Sequence, residues 1–236
     1  MSARTLPRTT PRESERPGPD RPGLRRAIVR TRPISEAPYL RVPQREGFFI
    51  ATSRLVLAPA VSADAHNFFH AVCASRSSLE PWLPWVPFIG DPAAAARYLE
   101  ASERDWDESR ACRFSVRDRE TQQFLGIVSF EHLVHAHQSA DFGYWLRDNV
   151  VGKGLLQEAG ERLLAWAFDA LGAERIRVAA STKNERSLRT IQRLGFRYEG
   201  TSRRAEHVAG RWLDHAVFAM VRDDRILEPV TLAAGA

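Results

Sequence analysis

A strand-like run that ends in two closely spaced glycines, and then continues as an amphipathic helix, occupies the middle of the chain. The run reads YWLRDNVVGKGLLQEAGERLLAWAF, from Tyr144 to Phe168. Gly152 and Gly154 allow the backbone to approach a bulky group without a Cβ in the way. The following helix directs its free N–H groups and the positive end of its dipole towards the same point. The run therefore predicts a phosphate site, with Lys153 or Arg147 adding charge at its rim.

The glycine pair does not by itself identify the ligand. The G-x-x-x-x-G-K-[ST] spacing of a P-loop is absent, and so is the third glycine of a dinucleotide fingerprint. A plain strand-to-helix turn is an equally good interpretation of G-K-G alone. The decision between the two depends on the sequence that follows.

The elements around this run predict an α+β or α/β domain with helices on both faces of a mixed, mostly antiparallel sheet of about seven strands. Ser62 and Asp91 are predicted to cap two early helices, and Pro92 suits the first position of the second one. Two later helices are predicted over Leu155–Leu171 and Glu185–Leu194. The predicted strands are Arg54–Ala60, Cys112–Asp118, Gln123–Leu133, Ser139–Leu146, Arg175–Ser181, Tyr198–Arg203 and Ala216–Val221.

A second stretch, STKNERSLRTIQRLGFRYEG, follows the next strand and places Asn184 and Ser187 one helical turn apart. The order strand, G-x-G loop, helix, strand, N-x-x-S, helix resembles the GNAT superfamily of acetyl-CoA-dependent N-acetyltransferases. Three further stretches are similar to its RimJ/RimL type, which acetylates the N-termini of ribosomal proteins. They are SSLEPWLPW from Ser77, FGYWL before the glycine loop, and EGTSRRAE up to Glu206. Together these matches span residues 52–223.

The resemblance implies acetyl-CoA as cosubstrate, with the pantetheine arm lying between two diverging strands, 141–146 and 175–181. The main chain near Trp145 would then polarise the thioester carbonyl, and Asn184 would bind the pantetheine amide. An N-cap is the structural alternative for Asn184, and both roles are compatible. One departure from the family is Asn149, where Gln or Arg is common. The implied cofactor-binding residues are Trp145, Leu146, Val151, Gly152, Lys153, Gly154, Leu155, Asn184 and Ser187.

The resemblance also implies the catalytic groups. The acceptor attacks as a free amine, whose ammonium form has a pKa of about 8 for an α-amino group, so a base is useful. Glu206 takes that role by resemblance, and Ser187 protonates the departing thiolate. Outside the family, a solvated loop acid and a capping serine are the ordinary interpretations of these two residues. Asp214 is similar to a family position with a structural or substrate-orienting role.

Three aromatic residues are candidates for contact with the acceptor amine. Trp82 and Trp85 lie in a proline-stiffened loop between the first two helices, and Tyr144 precedes the glycine loop. The two tryptophans are equally well interpreted as structural plugs of the core.

Other chemistries find little support in the sequence. His132, His135 and His137 lack a nearby cysteine or carboxylate set to complete a metal site, so no metal is expected. No G-x-S-x-G elbow of a serine hydrolase is present. Cys73 and Cys112 are too few for a disulfide framework, and no apolar run is long enough to cross a bilayer. A cytoplasmic, soluble protein without a membrane partner is therefore expected.

The positive charge of the chain is confined to its N-terminal segment. Residues 1–47 hold 11 arginines and only five acidic residues, together with eight of the 14 prolines, and the chain as a whole carries +5. We expect this segment to be a disordered extension. A dispensable extension and an electrostatic tether for an acidic surface or RNA both remain open, and no other nucleic-acid contact is expected. The domain is predicted over residues 48–223, followed by a tail over 224–236.

The leading hypothesis from the sequence is acetylation of a primary amine, most simply the N-terminus of a protein such as a ribosomal protein. The first alternative is transfer of an acetyl or succinyl group to a small-molecule amine or an antibiotic. The second is a non-catalytic acyl-CoA-binding module. A homodimer is compatible with the family resemblance, although the sequence carries no interface signal.

Overall fold

The computed structural model describes residues 39–225, which form one central sheet with helices on both faces. Strands β1 (Ile50–Ala51) and β2 (Leu55–Pro59) come first, and three helices follow them, α1 (Ala65–Ala74), α2 (Arg76–Leu79) and α3 (Pro92–Asp107). The later elements are β3 (Cys112–Asp118), β4 (Phe124–Val134), β5 (Ser139–Leu146), α4 (Leu155–Trp166), β6 (Arg175–Ser181), α5 (Glu185–Arg193), β7 (Arg197–Val208) and β8 (Arg211–Val221).

The eight strands are ordered β1-β2-β3-β4-β5-β6-β8-β7, and the β5–β6 pair is the parallel one. This pair is also short, because Ser139, Ala140 and Asp141 face Arg175, Ile176 and Arg177 and no later residues pair. Beyond that point β5 stays bonded to β4, while β6 stays bonded to β8. The sheet therefore splits between β5 and β6, as the family resemblance implies.

Two hydrophobic clusters occupy the two faces of the sheet. On β4, Val128 and Phe130 point into the larger cluster, which includes Leu163 of α4, whereas Ile127 points to the other face. There it meets Phe68 of α1 and Leu99 of α3, which are fully buried. This alternation along one strand is the reason that the sheet needs helices on both sides.

Most of the predicted elements are present, and the differences have local causes. Asp91 caps α3 by accepting a hydrogen bond from the N–H of Ala94 at 2.6 Å. The prediction that Ser62 caps α1 is wrong, because its N–H and hydroxyl donate to Glu103 and a short 3-10 turn over Ser62–Asp64 precedes the helix. The short strand β1 has no sequence signal, and β7 and β8 are longer than predicted because they extend as an exposed hairpin.

The folded domain begins before the predicted residue 48. Leu40 is buried in the larger cluster, the N–H of Arg41 donates to the carbonyl of Leu171 at 2.7 Å, and the indole of Trp106 donates to the carbonyl of Pro43. Residues 39–47 thus belong to the domain, where the sequence placed a disordered extension. They are held by a buried leucine and by main-chain and indole hydrogen bonds, which their charged, proline-rich composition does not reveal. The rest of that extension, and the predicted tail after residue 225, lie outside the described residues.

Candidate active site

A cavity of about 800 Å³ lies where β5 and β6 separate. It runs from the glycine loop, past the start of α5, to β7 and the loop between α2 and α3. Except for the two predicted rim cations Lys153 and Arg147, all the site residues predicted from the sequence line it. They are Trp82, Trp85, Tyr144, Trp145, Leu146, Val151, Gly152, Gly154, Leu155, Asn184, Ser187 and Glu206.

The glycine loop leaves the N-terminus of α4 without a side-chain cap. Gly154 is the N-cap with φ of 75°, and Gly152 has φ of 81°, both in the left-handed region that favours glycine. The first intrahelical bond runs from the N–H of Glu158 to the carbonyl of Gly154. The N–H groups of the first turn therefore have no acceptor within their own helix. They form a ready site for an anion.

One carboxylate holds this loop against the start of β2. Glu158 accepts hydrogen bonds from Thr52 at 2.5 Å, from Ser53 and the N–H of Arg54 at 2.9 Å, and from Arg54 Nε at 2.6 Å. Arg54 also donates to the carbonyl of Lys153 at 2.9 Å. Burial opposes ionisation of Glu158, yet the hydrogen bonds outweigh it and lower its pKa to about 2. Glu158 therefore stays ionised at neutral pH, and its hydrogen bonds hold the loop in one conformation.

The cations expected at the rim of the loop are not the ones that line the cavity. The prediction for Arg147 is wrong, because its guanidinium turns to the carbonyl of Phe124 and its Nε is buried. Lys153 and Asn149 do not line the cavity either. Three arginines of α5 line the cavity instead, and their spacing of three and four residues puts them on one helix face. They are Arg186, Arg189 and Arg193.

The first turn of α5 is joined to β5 across the cavity. Asn184 caps α5 by accepting from the N–H of Ser187 at 3.1 Å, so its structural interpretation is confirmed. The hydroxyl of Ser187 lies 2.7 Å from that of Tyr144. Burial raises the pKa of Tyr144 to about 12, so this phenol stays protonated at neutral pH. The sequence did not indicate this pair, because its members are 43 residues apart.

Aromatic rings form the wall on the side of the α2–α3 loop. Trp85 packs on Tyr98 and Trp145, with ring centroids at 5.3 and 5.9 Å, and Phe68 lies behind them. Trp85 therefore serves as a plug of the smaller core and as a wall of the cavity at once. Trp82 lines the cavity and is half-buried. The indole Nε1 of Trp145 is buried without a hydrogen-bond partner in residues 39–225.

Glu206 reaches the cavity from an irregular part of the edge strand β7. Ser202 pairs with His215 and Glu206 with Leu213, so three residues of β7 bulge opposite the single residue Asp214. Asp214 accepts from the N–H of Arg204 at 2.8 Å, and Arg204 has a left-handed φ of 50°. Such bulges commonly re-aim side chains next to active sites. Asp214 therefore has a structural role beside Glu206.

The carboxyl of Glu206 lies beside a histidine. His215 Nε2 is 3.5 Å from Glu206 Oε2. Burial raises the pKa of Glu206 above its ordinary value. Burial and the neighbouring Arg177 guanidinium lower the pKa of His215, and Asp214 opposes this in part. Both shifts favour the less charged form of the pair, which suits exchange of a proton with a third group.

Two ion pairs, which the sequence did not indicate, line the same end of the cavity. Arg113 binds Glu131 through two hydrogen bonds of 2.8 and 2.6 Å, and Arg177 contacts Asp141 at 3.1 Å. The members of each pair come from different strands, so no short motif contains them. This part of the cavity is therefore charged, whereas the glycine loop offers main-chain groups.

Two of the three histidines considered as metal ligands make local contacts. His132 Nδ1 lies 3.1 Å from Asp141, and His135 Nε2 lies 2.8 Å from the carbonyl of Ser109. Within residues 39–225, no group of three or more His, Cys, Asp or Glu side chains is arranged to hold a metal ion. None of the helices in this part of the chain has the length and apolar character needed to span a membrane.

Comparisons with known proteins agree with this geometry. The family model for the acetyltransferase (GNAT) domain matches residues 54–197, which is more than half of the chain. The uncharacterized N-acetyltransferase YoaA of Bacillus subtilis is 25% identical over 173 residues, covering 73% of this chain and 96% of that protein. The ribosomal-protein-serine acetyltransferase of Escherichia coli is 20% identical over 157 residues, covering 66% of this chain and 87% of that protein.

A solved structure extends the comparison to the fold. RimJ of Mycobacterium smegmatis, determined in complex with CoA-disulfide, is 25% identical with a TM-score of 0.68. The alignment covers 72% of this chain and 83% of RimJ.

Proposed function

The chain belongs to the GNAT family of acetyltransferases, and we propose that it transfers the acetyl group of acetyl-CoA to the α-amino group at the N-terminus of a protein. The observation that carries this proposal is the continuity of one cavity. It joins an uncapped helix N-terminus, the gap between β5 and β6, and the carboxyl of Glu206. These are an anion site, a sheet edge for an extended arm, and a base.

The residues around the glycine loop fit the diphosphate of CoA. The first-turn N–H groups of α4 would donate hydrogen bonds to its oxygens, and Arg186, Arg189 and Arg193 of α5 would add to the positive field. The unpaired edges of β5 and β6 offer main-chain groups to the pantetheine amides, as an added strand would use them. Acetyl-CoA supplies an activated acyl carbon when bound. The main chain near Trp145 and Leu146 would polarise its carbonyl.

Glu206 would accept the proton that the acceptor amine loses as its nitrogen attacks the thioester carbon. The raised pKa of Glu206 is closer to the pKa of an ammonium group. Transfer of the proton to Glu206 is therefore less unfavourable than transfer to an ordinary carboxylate. His215, neutral beside it, would accept or relay the same proton. The bulge held by Asp214 would orient Glu206, so Asp214 is a positioning residue.

Ser187 and Tyr144 would supply the proton to the departing thiolate. Their hydroxyls are within hydrogen-bond distance of each other, at 2.7 Å. A proton given by the Ser187 hydroxyl could be replaced from the Tyr144 phenol, which remains protonated throughout the neutral range. This pair adds Tyr144 to the leaving-group side, in addition to its predicted contact with the acceptor.

The choice of a protein N-terminus is supported by the similarity to a ribosomal-protein-serine acetyltransferase and to RimJ. A peptide would enter between the half-buried Trp82 and Trp85 and the β7–β8 hairpin.

The test is incubation with acetyl-CoA and peptides that begin with a free Ser or Ala. Release of CoA thiol and a mass increase located on the N-terminal residue are expected. Peptides with a blocked N-terminus and an internal lysine are the matched control, and acetylation of these at an equal rate would contradict the proposal.

A small-molecule polycation is the second candidate acceptor, favoured by the three carboxylates Glu131, Asp141 and Glu206 at the acceptor end. Arg113 and Arg177 already pair two of them, which leaves less negative charge for a cation. The same assay with a panel of polyamines separates the two acceptors. A kcat/KM for a polyamine above that for every peptide would favour the second.

A further inference from the structure

The β7–β8 hairpin carries four exposed arginines, and three of them have no ion pair within residues 39–225. They are Arg203, Arg204 and Arg211, and we refer to them as the hairpin arginines. The side chains of Arg203 and Arg211 make no hydrogen bond or ion pair with any of residues 39–225. Arg204 lies over the ring of Trp212, 5.7 Å from its centroid, and Trp212 is 56% exposed. Cations with so few partners on one hairpin are a candidate for recognition of a charged group.

The hairpin arginines are next to the mouth of the active-site cavity. Arg203 and Arg204 belong to the bulge that precedes Glu206, whose carboxyl lines the cavity. Arg211 lies on a shallow cleft of about 310 Å³ together with Glu80 and Pro81. Pro81 is followed directly by Trp82, which lines the cavity itself. A chain that leaves the cavity between Trp82 and the hairpin therefore passes the hairpin arginines.

The charge at this mouth is positive in spite of nearby acids. Glu80 faces Arg211 across the shallow cleft, and Asp214 is opposite the bulge. Lys183 adds a further cation, because the preceding residue Thr182 donates its N–H to the carbonyl of Asp214. Glu206 is a third carboxylate at this mouth, so four cations stand against three carboxylates. The other charged residues of the hairpin have partners, Arg197 with Asp224 and Glu199 with Arg175.

We propose that the hairpin arginines bind acidic residues of the acceptor polypeptide, a few positions after the amine that is acetylated. This inference rests on the proposed acetylation of protein N-termini and adds a preference among them. Opposite charges at the rim of an interface mainly raise the rate of encounter and reduce binding of like-charged partners. The selected acceptors are therefore proteins whose N-terminal region is acidic.

The test uses three peptides that share a free N-terminal serine and its two following residues. The next six positions carry mainly Asp and Glu, mainly Asn and Gln, or mainly Lys. For the wild type we expect kcat/KM to be about tenfold higher for the acidic than for the neutral peptide at low salt, mostly through KM. The double charge reversal Arg203→Glu and Arg211→Glu should remove this preference and favour the Lys peptide.

The matched control is the double variant Arg97→Glu and Arg162→Glu, which changes the net charge equally. Both of its arginines are exposed, on α3 and α4, and neither lines the cavity. It should retain the acidic preference. Unchanged melting temperature and unchanged Kd for CoA in both variants would show that folding and cofactor binding are intact. Arg204 is left in place because of its left-handed backbone.

Each other outcome has a definite meaning. Equal kcat/KM for the three peptides with the wild type, or a preference that survives the hairpin reversal, overturns this inference alone. Absence of acetylation for all three peptides overturns the proposed function instead. If the reversal weakens binding of a single-stranded RNA oligonucleotide and leaves the peptide preference unchanged, the hairpin arginines form an RNA-binding surface, and the inference is wrong.

Discussion

The two ends of the cavity present different chemical groups to a ligand. At the glycine loop the groups that face the cavity are main-chain N–H groups, held in place by Gly152, Gly154 and the anchoring carboxylate of Glu158. At the far end the cavity is lined by ionised side chains from several strands, among them Glu131, Asp141 and Glu206. Main-chain groups are the same whatever the residue, so they suit a donor that does not vary. Side chains can be substituted one at a time, so they suit an acceptor that does vary. The comparison teaches that donor binding and acceptor choice can vary independently.

The largest effect should come from removing the base at the acceptor end. Glu206→Gln keeps the size of the side chain and removes its capacity to accept a proton. We expect kcat/KM for a peptide to fall by about a hundredfold, with the Kd for CoA unchanged in calorimetry. Glu199→Gln, on the same strand, is the control and should stay within about twofold, because Glu199 is outside the cavity. A parallel loss of CoA affinity in Glu206→Gln would break the separation of the two ends.

The pH dependence of the wild type sharpens the same prediction. A base with a raised pKa is protonated, and inactive, over a wider acidic range. Thus kcat/KM should fall as pH decreases through the raised pKa of Glu206, in addition to the loss of free amine. The extra loss should be missing in Glu206→Gln. An identical acidic limb in both proteins would show that another group is the base.

The next largest effect concerns the stability of the glycine loop. Glu158→Gln leaves Arg54 without its ionic partner, and we expect a loss of about 2 kcal/mol in the free energy of unfolding at neutral pH. Because the folded pKa of about 2 is below the ordinary value of 4.5, this stabilisation is complete above the ordinary value and is lost as pH falls towards 2. Denaturant unfolding at several pH values measures the difference between variant and wild type. That difference should shrink in acid, and one that persists there would contradict the assignment.

A smaller effect is expected from strain at the N-cap of α4. Gly154→Val puts a β-branched residue at a φ of 75°, which costs about 1–2 kcal/mol. We expect the loop to relax and relieve this strain, which should raise the Kd for CoA by about tenfold. The control is Gly47→Val, since Gly47 has nearly the same φ of 73° and does not line the cavity. Equal CoA affinity in the two variants would contradict a role for the loop backbone.

The smallest effect separates main-chain from side-chain contributions at the glycine loop. Lys153 does not line the cavity, so Lys153→Ala should change the Kd for CoA by less than about twofold. Arg189→Ala, which removes a cation that does line the cavity, should weaken binding more. Calorimetry at one ionic strength compares the two directly. A larger loss in Lys153→Ala would mean that the lysine, rather than α5, supplies the positive field.

The local features of the fold and the site could be predicted from the sequence, whereas the contacts between distant residues could not. The glycine loop, the helix after it and the cap formed by Asn184 are local features, so spacing and residue type were sufficient to place them. The gap between β5 and β6, implied by the family resemblance, is present as well. The pairs Arg113–Glu131 and Tyr144–Ser187 depend on which strands become neighbours, and no local pattern encodes that. Residues 39–47 were missed for a related reason, because contacts with distant parts of the chain, rather than a local pattern, attach them.

The most direct test of the central claim is a crystal structure of the protein with CoA. We predict that the diphosphate oxygens accept hydrogen bonds from N–H groups between Gly152 and Gln157. The pantetheine arm should lie between β5 and β6, with the sulfur on the cavity side of Ser187 and open to Glu206. A diphosphate bound elsewhere on the protein, or a sulfur separated from Glu206 by intervening protein, would contradict the account.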